Sequence, residues 1–539
     1  MARPPPPPWR IIPRPLLETI LNNHAHHHRV PQPLLLHGPR GVGKSSLLLS
    51  RLIPSWNTYP HHASYVDLNL DNSQQWAPLS PSPFPPLRSL LESSLESLVR
   101  RAIALGAVSS KDIYSVLTKY HSLRNPLSRI VGSSRPAAAE TRLWHTAVFK
   151  RIGSGSVGEK DLEAVAGKEE GEFVREARAA LEVAREVIGM QGERRKEAVR
   201  RMNGEGGRFS RTLVNSATDW AMLLVEILSR AAEVDFFMPK LVINNIDILR
   251  KATTTDDSTV PAAMYHDSFI WRLLALGINE RCMPVILVTS DSYYSYQAFI
   301  DFGFEHTFIS RETFGWTVRE AKMHMVSEFF TEPEWKVIEE VLGPNPRHLS
   351  ELYELKQSNH YQEIMQFRSS FEDIVDAYLA YLQVTVVNPA MEAALAILQK
   401  FASDVRNGKI PEDQLHFGSP WRHPPTDDPV ASFKWAKIQL IDFIQSFVNT
   451  EFGLNYLAEY SLEILDDPSA IAMMEVGILY AQRDPSILRP ITRGIQRCLA
   501  RWLVQERMQM SLRDSIPYFW QRFIRGRSYR HLMKEIGYK

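Results

Sequence analysis

The chain has 539 residues, past the size at which a single hydrophobic core stops growing, so two or three domains are expected. Its 44% hydrophobic and 23% charged residues match an ordinary globular protein and exclude a disordered, collagen-like or disulfide-built chain. With 62 Lys plus Arg against 61 Asp plus Glu, the net charge of +1 gives no global attraction to nucleic acid or to membrane surfaces.

The N-terminus, MARPPPPPWRIIPRPLLE, carries Arg3, Arg10 and Arg14 before its first acid, Glu18, as organellar transit peptides do. The proline run at 4–8 opposes the amphipathic helix of such a peptide, and the apolar core of a secretory signal is missing. Residues 1–13 are read as a proline-rich tail. No uninterrupted apolar run reaches the ~18 residues of a membrane helix, so no transmembrane segment is expected. The expected location is intracellular, in the cytoplasm, with an organelle or the nucleus as alternatives. Cys282 and Cys498 stand alone and read as reduced structural thiols. His24, His26, His27 and His28 have no nearby carboxylate or cysteine and read as a polar loop.

The segment PLLLHGPRGVGKSSLLLSRL predicts a short buried strand at 34–36 and a helix after Ser45. Between them stands Gly38-Pro39-Arg40-Gly41-Val42-Gly43-Lys44-Ser45-Ser46, the full pattern of a phosphate-binding loop in its strand–loop–helix setting. Glycines let successive backbone N–H groups converge on phosphate oxygens, and the helix N-terminus adds its positive dipole end. Lys44 is expected to reach the β- and γ-phosphates, and the Ser45 hydroxyl to coordinate Mg²⁺. Further strands are predicted at 63–70, 240–243 and 284–290, and helices at 317–330 and 332–341.

In this order of elements the chain resembles P-loop ATPases of the AAA+ and signal-transduction group, in particular archaeal-ATPase-like members. The resemblance covers roughly residues 13–355 and implies ATP and Mg²⁺ as cofactors. It implies that Thr289 or Ser290, ending the fourth strand, acts as the sensor 1 residue. GPNPRHL resembles the sensor 2 turn of the lid, which makes Arg347 the matching arginine. The chain departs from the pattern at the third strand, where LVINNIDIL puts Asn244 and Asn245 in place of the family's Asp-Glu pair. Asparagine can bond a metal-bound water but neither offsets metal charge nor accepts a proton as a base. Asp247, three residues on from Asn244, would substitute only if the strand end were shifted.

The interval from 44 to 244 is far longer than the ~30 residues of a βαβ unit, so a largely helical insertion is expected at 77–215. Its 160–201 stretch carries alternating charge and a thin apolar stripe through Val174, Ala177, Leu181 and Ile188, read as a solvated arm or a partner-binding hairpin. GEGGR, at 204–208, is read as a flexible tip. Within the C-terminal half, 469–503 reads as helix, strand, turn, strand, helix and resembles a winged-helix domain by pattern. Such a unit packs on the nucleotide domain as a brake or binds DNA, the first being favoured. The residues from 521 onward form a basic tail with Arg522, Arg525, Arg527 and Arg530.

The expected fold is α/β: a P-loop parallel sheet flanked by helices at 14–316, a small helical lid at 317–360, and a helical C-terminal region at 361–539 with its winged-helix-like unit near 450–510. The expected function is ATP binding by a nucleotide-dependent switch or scaffold with weak or no hydrolysis. The protein partner would bind through the insertion or the C-terminal region. An active ATPase with a relocated acid and an origin-recognition-like DNA-binding ATPase are the alternatives.

Overall fold

The computed structural model describes residues 9–70, 76, 82–119, 168–204, 218–254, 261–292, 294–295, 307–326, 328–358, 370–410, 429–448, 454–455, 467–483, 486–513, 515–516 and 518–519. Residues 1–8 of the proline-rich tail, the glycine tip beyond 204 and the basic tail from 521 lie outside these residues.

The chain is an α/β protein with a five-stranded, all-parallel sheet flanked by helices. The strands are β1 (Leu34–His37), β2 (His61–Asp67), β3 (Met238–Asn244), β4 (Val285–Thr289) and β5 (Ile309–Glu312), in the order β2-β3-β4-β1-β5. The three inner strands are buried along their whole length, because helices cover both faces, and they read as continuous apolar runs. Side-chain alternation splits β1 between two cores. Leu34 and Leu36 join Val242, Ile286 and Val288 under the helices Pro15–His26 and Lys44–Leu47, the latter continuing through Leu48–Leu52 into Ile53–Trp56. Leu35 joins Leu241, Ile243 and Leu287 under Phe84–Ala104, Asp219–Ala231 and Ala262–Glu280. Strand β5 is a four-residue edge, Ile-Ser-Arg-Glu, with no apolar run to announce it.

Two insertion helices, Ser110–Lys119 and Lys168–Gly204, pack on that second face. The stripe of the long helix is therefore not a solvated surface: Ala177, Leu181 and Ile188 are buried in the domain's own core, and Val174 packs against it.

Beyond the sheet, Val318–Met325 and Glu332–Val341 each start with a capping box, from Thr317 with Glu320 and from Thr331 with Glu334. These helices and Pro346–Gln357 share one core with the C-terminal helices, so Ile338 and Leu349 pack in the same cluster as Leu379 and Ile495. The boundary expected after 360 thus separates segments with a common core. The helix–strand–strand–helix succession appears as Pro468–Glu475, β7 (Leu479–Ala481), β8 (Ile487–Pro490) and Arg493–Gln509, with β6 (Leu454–Asn455) completing an antiparallel sheet β6-β8-β7. One helical stretch, Phe371–Arg406, is long and apolar enough to cross a membrane, and 44% of its most apolar window is buried inside the fold. Its buried residues, among them Leu382, Met391 and Leu398, belong to the C-terminal core.

Candidate functional site

The carboxyl ends of β1, β3 and β4 meet around the glycine-rich loop. Open sheets of this kind bind ligands outside the strand ends where the chain changes direction across the sheet. Gly41 and Gly43 have φ of 80° and 84°, which side-chain-bearing residues rarely adopt. A Cβ on Gly38 would collide with the Thr313 carbonyl, and one on Gly41 would stand 3.0 Å from Asn345 Oδ1. The loop therefore lies directly under the end of β5 and under the turn that opens Pro346–Gln357.

Lys44 is only 4% exposed, and its Nζ donates to the carbonyls of Gly38 at 2.7 Å and Pro39 at 2.9 Å. Burial, together with the nearby Arg14, Arg347 and Arg40, pushes its ammonium down to about 7. Each neighbour has a position fixed by the fold. Arg14 donates to Thr313 Oγ1 at 2.9 Å and to the Val42 carbonyl at 2.8 Å. Arg347 lies with its guanidinium 4.9 Å over the Trp76 ring, and its backbone N–H reaches the Gly41 carbonyl at 3.3 Å. Arg40 packs against Gly477 of the C-terminal region. A buried lysine surrounded by arginines is costly until an anion arrives, so the arrangement suits a multiply charged anion. Of the other loop residues, Pro39 and Val42 are buried and Ser46 is exposed.

Strand β3 ends at Asn244, as the sequence pattern requires, and the strand end is not shifted toward Asp247. Ser45 Oγ donates to Asn244 Oδ1 at 3.2 Å. Asn245 occupies the left-handed region with φ 57° and ψ 45°, a conformation asparagine tolerates far better than glutamate. The backbone at 245 thus gives a local reason for asparagine at this position. The oxygen donors at this edge, Ser45 Oγ and Asn244 Oδ1 with the Asp67 carboxylate behind them, are of the kind Mg²⁺ selects.

Asp247 lies in the helix Ile246–Lys251, buried, and accepts a hydrogen bond from Thr289 Oγ1 at 2.7 Å. Burial and the neighbouring Asp291 raise its carboxyl above the usual range, against the pull of Lys251, Thr289 and Arg40. Thr289 also accepts from the Asp291 backbone N–H at 3.0 Å, while Ser290 is half-buried just past the strand. Thr289 and Asp247 therefore form a polar cluster behind Arg40, and Asp247 does not take the strand-end position beside Ser45.

Two hydrogen-bonded histidines join this edge to the helix Pro346–Gln357 and the C-terminal region. His37, at the end of β1, faces Tyr480 OH at 3.0 Å and Ser310 Oγ at 2.9 Å, and Tyr480 OH donates to Glu312 Oε1 at 2.9 Å. His348 faces Tyr378 OH at 2.9 Å and Thr492 Oγ1 at 2.7 Å, and Tyr378 OH donates to Glu351 Oε2 at 2.6 Å. Because each tyrosine gives its proton to a carboxylate, each imidazole donates from Nδ1, and Ser310 and Thr492 hydroxyls can serve Nε2 as donor or acceptor. Burial holds both imidazoles well below the usual histidine range, His348 at about 3, and the adjacent cations Arg483 and Lys44 for His37, and Arg347 for His348, push the same way.

No family model matches this chain, and no curated protein matches it. Of the residues expected at the site, the fold brings the loop, Lys44, Ser45, Asn244, Thr289 and Arg347 to one edge of the sheet. Arg14, Asp67 and Tyr480 belong to that edge as well and were missed, because each reaches it only through tertiary pairing, and His37, next to the loop in sequence, was missed because its partners Tyr480 and Ser310 are distant in the chain.

Proposed function

We propose that this chain is a P-loop protein of the AAA+ and signal-transduction ATPase group that binds ATP with Mg²⁺ and uses nucleotide occupancy to set the docking of its lid and C-terminal region, with weak or no hydrolysis. The observation that carries this reading is the convergence of Arg14, Arg40 and Arg347 on a buried Lys44 in a glycine-rich loop. On binding, Lys44 exchanges its two carbonyl acceptors for phosphate oxygens, and the arginines then face an anion in place of one another. Ser45 and Asn244 are the residues that would hold Mg²⁺, which when bound neutralises phosphate charge. Asn244 and Asn245 supply no proton acceptor, and loss of a positioned base typically slows a reaction ~10²- to 10⁴-fold.

The switch is supported by what touches the loop. The turn at 343–349, read as sensor 2, bonds Gly41 through the Arg347 N–H, and the Gly477 backbone abuts Arg40. The unit around β7 and β8 resembles a winged helix, and its Tyr480 and Arg483 face Glu312, which favours packing on the nucleotide domain over contact with DNA. Isothermal titration of wild type and Lys44→Ala with ATP tests the reading: binding by wild type that the variant loses is expected, and equal behaviour of the two proteins refutes it.

A further inference from the structure

The negative charge missing from the end of β3 stands one strand away. Asp67 ends β2 and is the register partner of Asn244. Its Oδ2 accepts from Asn244 Nδ2 at 2.9 Å, and its Oδ1 accepts from Asn245 Nδ2 at 2.8 Å. Tyr65 OH adds a longer bond to Oδ2 at 3.3 Å, and the Asn69 backbone N–H bonds Oδ1 at 3.0 Å. One carboxylate therefore takes the amide protons of both asparagines that replace the family's acids.

This arrangement decides which way Asn244 faces. An amide presents a donor at one end and an acceptor at the other, and its orientation follows its partners. Turning Asn244 over would set its Oδ1 against the Asp67 carboxylate, acceptor against acceptor. Held as it is, the amide offers Oδ1 to the side where Ser45 stands, 3.2 Å away. A carboxylate on the N–H side also polarises the amide and enriches its oxygen in electron density. The two strands thus exchange the usual roles: the charge is on β2 and the neutral oxygen is on β3.

We propose that Asp67 is the positioning residue for the divalent cation of the bound nucleotide, acting through Asn244 to supply the charge that β3 lacks. The inference rests on the nucleotide reading above. It explains how a chain with two asparagines at the end of β3 retains metal-dependent nucleotide binding. Outer partners of metal-binding groups typically change metal affinity ~10- to 100-fold when removed.

The test is the ATP affinity of the full chain in EDTA and in Mg²⁺, compared as a ratio for wild type, Asp67→Asn and the exchange Asp67→Asn/Asn244→Asp. In wild type Mg²⁺ is expected to tighten binding. In Asp67→Asn the tightening is expected to fall by at least ~10-fold, with metal-free ATP bound no more weakly, since a negative charge near the phosphates is gone. The exchange keeps one carboxylate and one amide across the strands and is expected to restore the tightening. Melting curves in EDTA report folding; if Asp67→Asn does not fold, the exchange variant decides, and a folded exchange variant without Mg²⁺ tightening overturns the proposal. Full Mg²⁺ tightening in folded Asp67→Asn also overturns it and leaves Asp67 as a strap between β2 and β3, with nucleotide binding intact. Absence of ATP binding by folded wild type in both media removes this inference together with the reading beneath it.

Discussion

The glycine-rich loop and the end of β3 face each other across Ser45, yet they are built in opposite ways. The loop is made by backbone, through glycine conformations and carbonyls that hold Lys44, with Arg40 from the loop itself and Arg14 and Arg347 brought from two other segments. The end of β3 is made by side chains: two amides oriented by a carboxylate on the next strand. The first carries surplus positive charge, and the second takes its negative charge from Asp67, one strand away. The proposed attraction for an anion and the positioning of a base are therefore carried by different parts of the site.

The largest effect should come from breaking the backbone half. Gly38→Ala would drive a methyl group into the Thr313 carbonyl, a rigid partner, and overpacking of this kind costs about 1–3 kcal/mol or more. Chemical denaturation should show that loss, together with loss of ATP affinity. At the end of β3, Asn245→Glu should cost about 1–2 kcal/mol from its left-handed backbone, with further repulsion from Asp67. A stable Asn245→Glu variant would mean that the backbone at 245 does not explain asparagine at this position.

The two halves should also differ in their response to pH. In the free protein Lys44 has a pKa of about 7, whereas phosphate contact requires it charged, so binding takes up a proton above that pH. ATP affinity should fall as pH rises from 7, by about tenfold per unit at most. Titrations in buffers of different ionisation enthalpy would show the proton uptake. A flat affinity between pH 7 and 9 would contradict the depressed lysine.

The acid side has the same kind of origin and affects stability. His37 and His348 are neutral in the fold, His348 with a pKa of about 3, while the unfolded chain binds protons near 6.5. The unfolded state then holds more protons below that value, so stability should fall as pH drops from 6.5 toward 4, seen as a falling melting temperature. Smallest of these effects is Tyr480→Phe, which removes the hydroxyl between His37 and Glu312 and should cost about 1 kcal/mol. Its diagnostic is faster hydrogen exchange around β7 and β8, with the sheet unchanged.

How much of this was readable in the sequence follows from distance along the chain. The loop was legible because strand, glycines, Lys44 and helix are contiguous, and β3 and β4 because inner parallel strands are continuous apolar runs. Strand β5 was not, being a short polar edge. The asparagine pair could be read, but Asp67 could not be linked to it, because only the β2–β3 register joins residues 177 positions apart. Likewise His37 and Tyr480 are 443 residues apart and meet only when the C-terminal sheet docks. The stripe on Lys168–Gly204 looked free because its covering helices lie elsewhere in the chain.

The most direct test of nucleotide binding without strong turnover is to melt wild type and Lys44→Ala with and without Mg-ATP while following phosphate release in the same samples. The expected result is a rise of several degrees in wild type only, with little or no phosphate released, as binding to the native state alone requires. Equal melting of both proteins with and without Mg-ATP would contradict nucleotide binding, and rapid release that depends on Lys44 would contradict the disabled chemistry of the β3 asparagines.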